Sequence, residues 1–262
     1  MSTFSTCTSA TRPSSPTDGD VLFETDTKNV IIWDGTNWRG YQSDGVSYAL
    51  SQGLSLDGNG DYGVVSNDSA LAITGDLSIA LWLYLDTNQF GPLVAKRTPA
   101  SQGVVGSSNY NFSYLGGTNG NLLAMYDGST TSTGPAISTG SWVHVALVVN
   151  SGTSTTFYVN GSASAGSAAQ NIVADSNDIY FGKIDTLSLY LDGKMDDIAI
   201  YNRQLTSTEV NTIKDGIFPT NGLAGLWTFE GDTGSSFTDK SGNGNDGTLA
   251  DNASLVSVPS HS

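Results

Sequence analysis

Basic residues are scarce in this chain. Lys and Arg together number 10 against 25 Asp and Glu over 262 residues, a formal net charge of −15. A surface this acidic repels nucleic acid and anionic membrane, so neither is an expected partner. Glutamate is rarer still, with three copies at Glu24, Glu209 and Glu230. The one cysteine, Cys7, cannot form an internal disulfide, which fits folding in a reducing cytoplasm. No apolar run approaches the roughly 18 residues of a membrane span. The opening Met-Ser-Thr-Phe-Ser-Thr-Cys-Thr has neither the basic nor the apolar region of a signal peptide. In place of helix formers the chain carries 35 Ser, 28 Thr, 19 Asn and 31 Gly, a composition for turns and extended segments. Its hydrophobic share of 38% is still enough to build a core.

Two patterns divide the chain. Residues 1–45 read as an extended arm followed by a small β-ribbon: Asp20–Asp26 and Asn29–Trp33 as a hairpin around Asp26-Thr-Lys-Asn29, then a turn at Asp34-Gly35. A ribbon this small needs something to pack on, and Trp33 and Trp38 are its obvious packing groups. Residues 46–262 show longer alternating strands at regular spacing. Ile79, Leu81, Leu83 and Leu85 share one face, whereas Trp142–Val149 is apolar on both faces, as a central strand requires. One short helix is expected at Thr206–Lys214, with Thr206 as N-cap and Glu209 completing a capping box. Many strands separated by Gly, Asn and Asp turns predict an all-β, two-sheet antiparallel sandwich of jelly-roll type.

Residues 50–215 resemble the laminin-G-like, concanavalin A-like jelly rolls. The matching pieces keep that family's order: Leu54-Ser-Leu-Asp-Gly58, Leu77-Ser-Ile79 with Trp82, Ser141-Trp-Val-His-Val-Ala146, Phe157-Tyr-Val-Asn-Gly161, Ile179-Tyr-Phe-Gly182, and Leu191 to Thr206. The segment Gly225–Glu230 with Asp239–Leu249 looks like the piece that usually opens such domains. Here it comes last and is read as a permuted closing segment, since about 30 residues cannot form a second sandwich. The ribbon from Arg12 to Trp38 resembles a short element common on tailed-phage virion proteins.

The chemistry-bearing motifs are weighed against plainer readings. A retaining glucanase on this fold needs a carboxylate pair about 5 Å apart, usually on a Glu-x-Asp-x-x-Glu strand. None of the three glutamates stands in such a pattern, so no enzyme is expected. His144, in an apolar strand without a second histidine, reads as a structural histidine. Gly58-Asn-Gly-Asp-Tyr-Gly63 matches a dinucleotide-binding pattern, but a strand follows it where a helix is needed, so it reads as a glycine-rich hairpin. Calcium is the implied cofactor. It needs six to eight oxygens on a loop that can curl. Asp239, Asn243 and Asn245 supply oxygens between glycines, and Asp196 and Asp197 could complete the shell; the alternative is that these residues cap turns without metal. A glycan site would use exposed aromatics, for which Tyr110, Tyr114, Tyr126 and Tyr190 are candidates; the alternative is that they pack in the core or rim, as most aromatics of a sandwich do, and none is assigned as the site.

Two functions are expected from these features. The first is a non-enzymatic virion structural protein of a tailed phage: a capsid decoration, head-fibre or tail-associated subunit. It would be made in the host cytoplasm, be located in the virion, form homo-oligomers and attach to other virion proteins through its N-terminal region. The alternative is a carbohydrate-binding adhesin or lectin-like module recognising surface glycans.

Overall fold

The computed structural model describes residues 5–8, 11–17, 20–24, 30–33, 36, 38–41, 47–97, 108–173, 176–184, 188–259 and 261. The chain divides into two compact units, Met1–Ser51 with Ser257–His261, and Gln52–Val256.

The small unit contains β1 (Ser5–Cys7), β2 (Val21–Glu24), β3 (Val30–Trp33), β4 (Trp38–Tyr41) and the first residues of β5 (Ser47–Asp57). β1 runs parallel to β2, and the others pair antiparallel in chain order. The pairing of β2 with β3 places Leu22 opposite Ile31, and these two form its buried cluster, with Cys7 and Trp33 packed against them. The expected turns at Asp26–Asn29 and Asp34-Gly35 lie outside the described residues.

The large unit begins with the rest of β5. Next come β6 (Tyr62–Val65), β7 (Leu77–Leu85), β8 (Gly91–Arg97), β9 (Ser108–Leu115), β10 (Leu122–Tyr126) and β11 (Thr131–Ala136). Then follow β12 (Trp142–Asn150), β13 (Ser154–Val159), β14 (Ser162–Ala165), β15 (Ile179–Phe181), β16 (Lys183–Ile184) and β17 (Leu189–Tyr190). β18 (Asp192–Tyr201), α1 (Ser207–Lys214), β19 (Leu223–Trp227), β20 (Ser236–Phe237) and β21 (Gly247–Ala250) complete it.

One sheet has the order β5-β18-β7-β12-β13-β14, with β19 also on β18; the other has the order β11-β10-β9-β8-β15-β6-β21-β20. Within this unit every pairing is antiparallel. Side chains from the facing sides of both sheets merge into one core, as two amphipathic layers must to bury their apolar faces. Ile79, Leu81, Leu83 and Leu85 all enter it from β7. β12 sits between β7 and β13 and is buried on both faces. The fold is therefore the all-β jelly-roll sandwich that the alternation predicts.

The C-terminal segment is integral to both sheets. β19 pairs with β18, and β21 pairs with β6. Trp227, Phe229 and Phe237 are fully buried, with Trp227 edge-on to Phe181 at 5.0 Å. The outer side of the first sheet is covered as well. Val210 and Ile213 of α1 close over Ala80, Ala146, Ala199 and Tyr201, whose small or flat side chains let a helix sit close. Thr206 and Glu209 form the expected capping box, and Arg203 grips Glu209 with both guanidinium nitrogens.

One expectation is corrected. The Gly58–Gly63 stretch is not a hairpin, because β5 lies in the first sheet and β6 in the second. Gly58 and Gly60, with φ of +76° and +101°, turn the chain across the edge of the sandwich instead.

Candidate functional site

The outer side of the second sheet has a different character. In β9 the aromatic residues Tyr110, Phe112 and Tyr114 point into the core, so alternation sends Asn111 and Ser113 outward. Register places Asn111 beside Tyr126 and Ser113 beside Ala124 on β10, and Tyr126 beside Thr131 on β11. This patch is the floor of a cavity of about 210 Å³, walled by Phe90, Leu115, Ile184 and Leu189.

The wall depends on a chain reversal after β15. Gly182 has φ of +80°, and a Cβ there would come within 2.2 Å of Leu56 Cδ1, so glycine alone fits. From it the chain enters the β16–β17 hairpin, whose Ile184 and Leu189 form one rung and face the cavity. As a result Asn111 and Ser113 are only 5% and 3% exposed although they lie on an outer face.

The polar groups of the floor are neutral. Ser113 Oγ donates to Asn111 Oδ1 at 2.6 Å, and Tyr126 Oη donates to the Gly128 carbonyl at 2.7 Å. Among the described residues no acceptor meets Asn111 Nδ2. Asp127, next to Tyr126, is turned into its own loop. Its carboxylate accepts from the N–H groups of Ser129, Thr130 and Asn171 and from Ser129 Oγ. Burial works to raise its pKa, but those backbone donors outweigh it and hold the pKa below the usual carboxylate value. Among the described residues the lining thus offers two aromatic rings, an amide and hydroxyls, with no carboxylate.

Of the four tyrosines singled out from the sequence, Tyr126 reaches this cavity. Tyr190 lies on the adjacent rung of the hairpin, whereas Tyr110 and Tyr114 are core residues. Burial raises the Tyr114 pKa, and its hydroxyl donates to Asn88 Oδ1 at 2.9 Å. Strand parity alone does not separate Tyr126 from Tyr110 and Tyr114; the structure does, because Met125, one step from Tyr126, faces the core and register sets Tyr126 beside Asn111.

The residues expected to hold calcium behave as turn formers. Asp239 Oδ1 accepts from the Leu226 and Ser241 N–H groups at 3.0 and 2.8 Å. Its Oδ2 accepts from Ser241 Oγ and the Asn245 N–H at 2.8 and 3.0 Å. A carboxylate has about four acceptor positions, and all are used by donors. Asn243 Nδ2 donates to the Leu223 and Ala224 carbonyls, and Asn245 Nδ2 to that of Ala224. Asp196 is buried in β18 opposite Trp82 and accepts the Asp197 N–H at 2.8 Å, at a bulge where Asp197 adopts a φ of +51°. Among the described residues, no three His, Cys, Asp or Glu side chains converge as a metal shell would. As arranged, the set does not fit a cation without displacing donors from Asp239.

His144 lies in the same cross-strand row as Trp82 and Asp196. Its ring is buried and edge-on to Trp82 at 5.5 Å, and its backbone N–H donates to Asn160 Oδ1 at 3.0 Å. The glutamates stand apart. Glu209 is bound to Arg203, Glu230 accepts from Gln52 N, and the side chain of Glu24 lies outside the described set.

A family model described as the concanavalin A-like lectin/glucanases superfamily matches residues 57–211, more than half of the sequence. The chain belongs to that superfamily. Solved structures agree on the fold. A Bacteroides ovatus protein described as carbohydrate binding superposes with a TM-score of 0.63 at 18% identity, over 80% of this chain and 61% of that one. The chain therefore spans less than two thirds of that protein's length. A heptameric SAP-like pentraxin from Limulus polyphemus superposes with a TM-score of 0.53 at 16% identity, over 80% of this chain and 96% of the pentraxin. No curated protein matches in sequence.

Proposed function

We propose that the large unit is a carbohydrate-binding, lectin-like domain and that the cavity on the outer side of the second sheet takes a sugar ring. The observation that carries this reading is the lining: Tyr126 beside Asn111, Ser113 and Thr131 on the open face of a lectin-superfamily sandwich. A sugar has apolar C–H faces and hydroxyl edges. An aromatic ring suits the first, and neutral amides and hydroxyls suit the second. The volume, about 210 Å³, lies below the range of drug-sized pockets and matches a single ring better than a chain of them. The description of the Bacteroides ovatus relative as carbohydrate binding supports the same reading.

This domain binds and does not cleave. Both roles of a glycosidase need carboxyl groups facing each other across the bond, and none lines the cavity among the described residues. The test is a glycan array probed with the full chain, followed by calorimetry on the tightest ligand. Tyr126→Ala is expected to weaken that ligand about tenfold, roughly 1.4 kcal/mol, without lowering the melting temperature. Equal affinity in the variant would move the site elsewhere, and carboxylate-dependent turnover of the ligand would overturn the non-catalytic reading.

A narrower reading makes the chain a virion protein of a tailed phage, a decoration or fibre subunit held to other virion proteins by its N-terminal unit. The support is physical. The described cluster of the small unit has two buried residues, Leu22 and Ile31, which is little to hold a ribbon in shape alone. Deleting residues 1–45 is expected to leave a β-rich body and abolish incorporation into particles. Normal incorporation of the truncated chain would rule this role out.

A further inference from the structure

The hairpin that walls the cavity carries a second feature on its next rung, where Lys183 stands opposite Tyr190. The Lys183 ammonium lies 3.9 Å from the centre of the Tyr62 ring and 5.3 Å from that of Tyr180. The two rings are 5.8 Å apart and tilted by 58°. They come from neighbouring strands. Gly63 and Phe181 pair in register and turn toward the core, so Tyr62 and Tyr180 on either side face outward.

Four other cations meet carboxylates. Lys194 reaches Asp86, Arg203 reaches Glu209, Lys214 reaches Asp215, and Lys240 lies 3.8 Å from Asp232. Among the described residues no carboxylate or other acceptor meets Lys183; its neighbours are ring faces. Ring faces attract an ammonium through their quadrupole but accept none of its strong hydrogen bonds. They fix the position of the charge and leave its N–H groups for an incoming anion.

We propose that Lys183, held by Tyr62 and Tyr180, binds the carboxylate of an acidic sugar in an oligosaccharide that reaches from the cavity across the hairpin. The inference rests on the glycan reading above and adds to it the class of ligand. The hairpin separates the two places by its own width: side chains alternate along a strand, so the Ile184–Leu189 rung faces the cavity and Lys183, on the next rung, turns to the other side, over Tyr62 and Tyr180. The consequence runs against the net charge. A chain at −15 repels acidic glycans at long range, so any preference for them must come from a local contact such as this one.

The experiment uses the full chain on an array that pairs neutral glycans with counterparts carrying a uronic acid. The tightest acidic oligosaccharide is then titrated beside its methyl ester, which keeps the sugar and masks the charge. The acid is expected to bind about tenfold tighter than the ester at low salt, with the gap narrowing as salt screens the contact. Lys183→Gln should erase the gap and Lys183→Arg should keep it. Equal affinities for acid and ester, or a gap that survives in Lys183→Gln, would overturn the proposal. Binding confined to neutral glycans would overturn it too, while leaving the lectin reading in place. Binding to no glycan on the array would remove that reading first.

Discussion

The two sheets of the large unit turn their outer faces to different surroundings. The first sheet presents alanines and a tyrosine to α1, and the helix seals them with Val210 and Ile213. The second presents Asn111, Ser113, Tyr126 and Thr131, and only a two-rung hairpin leans over them. The same alternation of strand side chains thus yields an inner layer on one side and a lined cavity on the other. What differs is the covering element. An amphipathic helix supplies apolar groups enough to exclude water, whereas a short hairpin supplies two and leaves room for a ligand.

The comparison can be broken most forcefully at the helix. Ile213 is buried against the first sheet, so Ile213→Ala should cost about 2–5 kcal/mol in urea unfolding. Ile184 is as buried as Ile213 but borders the cavity, where contacts are already forgone on one side, so Ile184→Ala should cost less. Equal losses would mean that the two coverings are energetically alike.

A smaller effect is expected at the loop that ties β19 to β21. In Asp239→Asn one oxygen becomes an NH₂ facing donors from Leu226, Ser241 or Asn245. Leaving such buried donors unmet should cost about 1–3 kcal/mol. Because those donors fill the carboxylate, calcium and chelator should give the same melting curve. A rise in melting temperature with calcium, removed by Asp239→Asn, would restore the metal reading, since ligand binding to the folded state alone must stabilise it.

The smallest effect sharpens the account of how the helix is held. The Arg203 guanidinium, aided by the Thr206 N–H, lowers the Glu209 pKa from 4.5 to about 2. A carboxyl whose folded pKa is depressed adds stability above its unfolded pKa. That contribution disappears as pH falls from about 4.5 to about 2. Glu209 and Arg203 are partly exposed, so solvent screening limits it to about 1 kcal/mol. Glu209→Gln should flatten the pH dependence of stability in that window. An unchanged slope would assign the acid sensitivity to other carboxylates.

Much of this molecule is legible from residue order. Alternation located the long strands, because a half-covered sheet demands a period of two, and continuous apolarity marked Trp142–Val149 as a strand buried on both faces. The helix was legible because its cap is local: Thr206 and Glu209 are three residues apart, and their bonds need no partner from elsewhere. Short strands such as Thr131–Ala136 and the β16–β17 hairpin escaped, since few of their side chains are apolar and their pairing comes from neighbours distant in sequence.

The site lay beyond that kind of reading. Parity tells which residues share a face but not which face meets the core, so Tyr110, Tyr114 and Tyr126 looked equivalent until register set Tyr126 beside Asn111 and the other two inside. The glycines from Gly58 to Gly63 announced a turn, but whether it closed a hairpin or crossed between sheets depended on where β5 and β6 found partners. Asp239, Asn243 and Asn245 offered oxygens to a cation on paper; packing against β19 directed backbone donors to those of Asp239 first. The sequence determined the strands, the helix and the family, because these rest on local periodicity and short-range bonds. Only the tertiary structure decided the cavity, the ring-held lysine and the fate of the acidic loop, because each depends on side chains that chain order keeps apart and sheet pairing brings together.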